Sequence, residues 1–135
     1  MSLTVFAALS AATLLGGAGP AQAETAVNVW VRGSAPSYDT YIVSVGAQGR
    51  TGLVNLDMYV SYGQVITGVR NGTAFCQYGH FGATCDLVDG KFPQHFEVTV
   101  KRYDSANGPF HLQAIATTST PEQDYADNST VIETY

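Results

Sequence analysis

From residue 25 onward, apolar and polar residues alternate along much of the chain. In "TAVNVWVR" (25–32), Val27, Val29 and Val31 fall on one side and Asn28, Trp30 and Arg32 on the other. "LVNLDMYVS" (53–61) sets Val54, Leu56, Met58 and Val60 against Asn55, Asp57, Tyr59 and Ser61. "FEVTVKRY" (96–103) sets Phe96, Val98 and Val100 against Glu97, Thr99 and Lys101. A period of two belongs to a β-strand with one buried face. Shorter segments at 41–45, 65–69, 73–76, 84–87, 110–118 and 129–135 fit the same template. Turn-forming residues lie between them: Gly46 to Gly52, Tyr62-Gly63, Asn71-Gly72, Gly79 to Gly82, Asp89-Gly90 and Asn107-Gly108-Pro109. No segment sustains helical spacing, so the crossover helix of a parallel βαβ unit cannot be drawn. The pattern predicts an all-β, antiparallel β-sandwich of about 7–9 short strands. A closed barrel is the alternative arrangement.

The N-terminus departs from this pattern. Residues 3–19, "LTVFAALSAATLLGGAG", are uncharged and mostly apolar, and Ala21 and Ala23 occupy the small-residue positions of an Ala-x-Ala cleavage site. The run falls short of the roughly 20 apolar residues of a membrane span and is broken by Gly16, Gly17, Gly19 and Pro20. Residues 1–23 therefore read as a secretory signal peptide and 24–135 as a single domain, secreted and without a membrane span after cleavage. Every charged residue lies after Ala23, the net charge is -5, and charged residues make up only 13% of the chain. That balance provides no basic footprint for nucleic acid or anionic lipid.

The compartment bears on the stretch "FCQYGHFGATC" (75–85), which holds both cysteines. An even cysteine count in an oxidising setting favours a Cys76–Cys85 disulfide. Zinc would need four ligands, and Cys76, His80 and Cys85 supply three at irregular spacing. A redox pair would show Cys-x-x-Cys spacing, which is absent. Within a sandwich the stretch becomes a stapled hairpin with Tyr78, His80 and Phe81 at its tip.

Several of these features also resemble a known family. From about residue 40, the chain has the strand and Gly-rich turn "YIVSVGAQG", the cysteine hairpin closing on Cys85-Asp86-Leu87, the strand "FEVTV", and the closing stretch "ATTSTPEQDYADNSTVIETY". This order resembles the bacterial immunoglobulin-like family called "domain of unknown function eleven", and is similar to bacterial cell-adhesion-related domains. Asp124 and Asn128 match the family's Asp and second Asn, and Asp127 stands where its first Asn would be. The chain carries one copy of a unit that the family often repeats. The resemblance implies an immunoglobulin-like sandwich in a surface or secreted setting, and no catalytic residues.

The residues themselves point the same way. His80, His95 and His111 are the only histidines, and none lies in a Gly-x-Ser-x-Gly or His-Glu-x-x-His context. No enzyme activity, cofactor or resident metal is expected. Glu122, Asp124, Asp127 and Asn128 offer oxygen ligands but lack the spacing of a dedicated calcium loop, so they read as an acidic turn before the last strand. The expected function is a structural or adhesive contact module for a protein or glycan partner, with Tyr78, His80 and Phe81 as the candidate touching surface. The alternative is a small glycan or ligand binder using exposed aromatics such as Trp30 and Tyr59.

Overall fold

The computed structural model describes residues 27–49, 51–87, 91–122 and 125–134. The expected signal segment and Asp89-Gly90 lie outside the described residues. Nine strands run in chain order: β1 (Asn28–Ser37), β2 (Thr40–Gln48), β3 (Val54–Val60), β4 (Gln64–Arg70), β5 (Phe75–Tyr78), β6 (Gly82–Leu87), β7 (Gln94–Arg102), β8 (Phe110–Thr118) and β9 (Ser129–Thr134). Each alternating segment of the sequence is one of these strands. A single 3-10 turn, Ser105–Asn107, is the only helical element among the described residues.

The strands form two antiparallel sheets, ordered β1-β2-β7-β4 and β5-β6-β3-β8-β9. This is an immunoglobulin-like sandwich rather than a barrel. The order β1-β2-β7-β4 reproduces the A-B-E-D sheet of that fold, and β3, β8 and β9 take the places of C, F and G. The β5–β6 hairpin is an addition. It leaves the chain after β4, crosses to the other sheet and extends it beside β3.

Alternation builds the core. Val29, Val31, Tyr41, Val43, Val45, Phe96 and Val98 point inward from the first sheet, and Val54, Leu56, Met58, Cys85, Leu87, Leu112, Ala114 and Ala116 from the second. Burying each larger aliphatic side chain contributes about 1.5–3 kcal/mol.

Two boundaries differ from the sequence expectation. Gly46 is not part of a turn: it is a buried position inside β2, opposite Trp30 of β1. A Cβ there would collide with the Trp30 indole, so glycine lets the ring lie flat on the strand. β1 also runs on to Ser37 through Pro36, beyond a break in register after Ser34. Proline is tolerated because β1 is an edge strand.

Candidate contact surface

The hairpin positions the expected tip residues. Cys76 and Cys85 face each other in register on β5 and β6 and are joined by a disulfide. Cys85 points into the core between Ala83 and Leu87, while Cys76 is half-buried at the sheet edge. Neither sulfur is left for a metal or for exchange among free thiols.

Beyond the staple, three hydrogen bonds hold the tip against the body of the sandwich. The Ile66 N–H donates to the His80 carbonyl (2.7 Å), and the Val60 N–H to the Phe81 carbonyl (3.0 Å). The Tyr78 hydroxyl donates to the Thr67 carbonyl (3.1 Å). The rings remain outside: Tyr78 is 51% exposed and Phe81 54%. Phe81 meets the His80 ring edge-on at 6.0 Å. Backbone and cross-link fix the tip while its side chains face solvent.

The fold brings further aromatics to the same end of the sandwich, a convergence that no local pattern foretells. The registers place the β1–β2, β3–β4, β5–β6 and β7–β8 connections together there. They present Tyr38, Tyr62, Phe81 and Tyr103, with Tyr78 and Tyr59 at the adjoining strand ends, all exposed. Tyr62 and Tyr103 pack edge-to-face at 5.7 Å. Gly63, at φ 97°, turns the chain beneath them, and its carbonyl accepts the Tyr103 N–H at 2.9 Å. Arg102 places its guanidinium 4.2 Å from the Phe110 ring centre and 5.2 Å from that of Tyr38. A cation over aromatic faces is attracted to their negative quadrupole. Separate turns far apart in sequence supply these side chains, so no local motif announces them.

Tyr59 also borders an open groove on the outer face of the five-stranded sheet, with Asp57, Gln77, Tyr78, Gly79 and Thr84. Trp30 lies on the other sheet, capped by the Arg32 guanidinium at 4.5 Å from its ring centre. The two aromatics singled out for glycan stacking therefore do not share a face.

His95 and His111 sit on exposed strand positions. His95 Nδ1 lies 2.7 Å from Ser44 Oγ, a cross-strand Ser–His pair that the sequence separation hides. No carboxylate among the described residues hydrogen-bonds the His95 ring, since the neighbouring Glu97 pairs with Arg70. Among the described residues the pair has no orienting third group of a triad.

The acidic turn caps β1. Glu122 Oε1 accepts the Val29 N–H at 2.9 Å, and the Asp127 carbonyl accepts the Val31 N–H at 2.9 Å. Asp124 lies outside the described residues.

No family model matches the sequence, and no curated protein matches it. Among solved structures, the collagen-binding domain from a Staphylococcus aureus adhesin is similar at TM-score 0.49 and 5% identity, covering 78% of this chain and 97% of that one. The collagen-binding subdomain of the Enterococcus faecalis surface protein ACE is similar at TM-score 0.49 and 8% identity, over 78% and 94%. A non-cellulosomal cohesin from the archaeon Archaeoglobus fulgidus reaches TM-score 0.44 at 11% identity, over 80% and 90%.

Proposed function

We propose that this chain is a secreted, non-enzymatic immunoglobulin-like module that works by contact, touching a protein partner through its aromatic end. The observation that carries this reading is the gathering of Tyr38, Tyr62, Tyr78, Phe81 and Tyr103 at one end of a rigid sandwich. Tyrosine and phenylalanine supply contact area with few rotatable bonds, and such residues dominate the energy of protein interfaces. A tip already fixed by a disulfide and three hydrogen bonds loses little further entropy on binding. The signal-like residues 1–23 and the Cys76–Cys85 disulfide, which suits an oxidising compartment, support the secreted setting. Membership of the family called "domain of unknown function eleven", and with it a cell-surface role, belongs to the same proposal.

The test is a binding screen of the purified chain against cell surfaces and extracellular proteins, followed by the variant Tyr62→Ser with Phe81→Ser. Both rings are more than half exposed and, among the described residues, neither hydrogen-bonds the sandwich, so the fold should hold with a loss of about 0.5–1.5 kcal/mol from the Tyr62–Tyr103 edge contact. Affinity for the partner found should fall at least tenfold, about 1.4 kcal/mol. Unchanged affinity would remove the aromatic end from the contact.

The groove beside Tyr59 favours a second reading, a glycan site in which Asp57, Gln77 and Thr84 would meet sugar hydroxyls. Glycan-array binding lost on Tyr59→Ala, with the Tyr62/Phe81 variant unaffected, would select it.

A further inference from the structure

We propose that Asn28, Glu122, Asp127 and Asn128 form a site for a divalent cation of the calcium class, between β1 and the connection from β8 to β9. These residues are tied into one ring. Asn28 Nδ2 donates to Asp127 Oδ2 at 3.3 Å, and Asn128 Nδ2 donates to Glu122 Oε2 at 2.6 Å. Glu122 Oε1 closes the ring on the β1 backbone at Val29.

The ring has too many acceptors. Asn28 Oδ1, Asp127 Oδ1 and Asn128 Oδ1 are all buried and receive no hydrogen bond. Asn128 as a residue is only 8% exposed. Its amide cannot be reversed to cure this, because Nδ2 is needed by the Glu122 carboxylate. The same holds for Asn28, whose Nδ2 serves Asp127. Three enclosed oxygens without a donor carry a desolvation cost that a native fold normally meets with a partner.

Charge makes the same demand. Glu122 and Asp127 each contribute a carboxylate to this ring, and the only ion pair among the described residues, Arg70–Glu97, does not involve them. A small hard cation answers both needs. Calcium takes 6–8 oxygen ligands from carboxylates, amide carbonyls and water in flexible geometry. Here the two amide oxygens and Asp127 Oδ1 would ligate, Glu122 would balance charge, and water would complete the shell. The site joins the first strand to the last loop, so an ion there would tie the chain ends of the domain together.

The probe is Tb3+, an oxygen-seeking calcium substitute that emits when a nearby tyrosine is excited. Tyr125 is such an antenna, its hydroxyl accepting the Glu122 N–H at 3.3 Å. With the chelator-treated chain, Tb3+ emission should saturate at one equivalent and be displaced by Ca2+ at about 10⁻⁴–10⁻³ M, the range of extracellular modules. Ca2+ at ten times its dissociation constant should raise the melting temperature by about 4–8 °C over chelator. Asp127→Asn, isosteric but uncharged, should abolish emission and the thermal shift, whereas Asp57→Asn on the outer face should change neither. Asn28→Asp, which adds a carboxylate to the ring, should tighten Ca2+ binding several-fold and keeps the test alive if Asp127→Asn fails to fold. Absent emission and shift in the unaltered chain, emission that survives Asp127→Asn, or weaker binding in Asn28→Asp would each overturn the site and leave the three oxygens to enclosed water.

Discussion

Tyr41 donates its hydroxyl hydrogen bond to Gln64 Oε1 across 2.9 Å, deep in an otherwise apolar core. Gln64 Nε2 then donates to Ser61 Oγ and to the His111 carbonyl of the opposite sheet, both at 3.1 Å. Every polar atom of this fully buried glutamine side chain is used, and the network ties the first sheet to the second.

Burial pushes the Tyr41 phenol up from 10.0, with the Gln64 bond opposing the rise. A group whose pKa is raised by folding contributes stability that is complete below the unfolded value and is lost as pH climbs through the folded one. An absorbance titration should therefore show the Tyr41 phenol ionising above its ordinary value of 10.0, with unfolding accompanying that step. Tyr41→Phe should remove that late step and cost about 1–3 kcal/mol, since Gln64 Oε1 loses its donor. A titration indistinguishable from the parent's would refute the assignment.

Reduction of the Cys76–Cys85 bridge should lower stability by about 2.5–3 kcal/mol, the chain-entropy value for a loop of about ten residues. The sandwich should survive, because Ile66 and Val60 still hold the tip by backbone hydrogen bonds. Denaturant melts with and without reductant measure this, alongside a two-hydrogen mass change. Complete loss of β-sheet circular dichroism on reduction would show that the staple holds more than its hairpin.

Glu122→Ala should expose the edge of β1. The Val29 N–H loses its acceptor, so its hydrogen exchange should quicken, and stability should fall by about 1–3 kcal/mol. Exchange at Val29 as slow as in the parent would mean that another group takes over.

Gly46→Ala should drive the Trp30 ring off the sheet at a cost of about 1–3 kcal/mol. Trp30 is the sole tryptophan, so its fluorescence reports the displacement directly. An unshifted emission maximum with unchanged stability would contradict the packing.

These examples also mark what the sequence could show. Alternation in Val54, Leu56 and Met58 or Phe96, Val98 and Val100 disclosed strands and their inward faces, because a sheet with one buried side imposes a period of two on each strand by itself. Gly46 reads as a turn residue in the sequence, yet its glycine is demanded by Trp30, a neighbour on another strand. The tip residues Tyr78, His80 and Phe81 were legible because the cysteines bracket them. Tyr38, Tyr62 and Tyr103 join them only through tertiary convergence of four connections. Asn28 was legible as a polar strand position and no more: its bond to Asp127 spans 99 residues.

The acidic turn and the hairpin tip share a consequence beyond their local bonds. An open sheet border offers bare peptide groups on which a second molecule can add a strand and begin a fibril. On one border of the four-stranded sheet, Glu122 and Asp127 take up the amides of Val29 and Val31. On the other, the His80 carbonyl takes the amide of Ile66, beside a register break in β4. The chain's own loops thus occupy positions on both borders where a neighbour's strand would dock, which opposes polymerisation through this sheet.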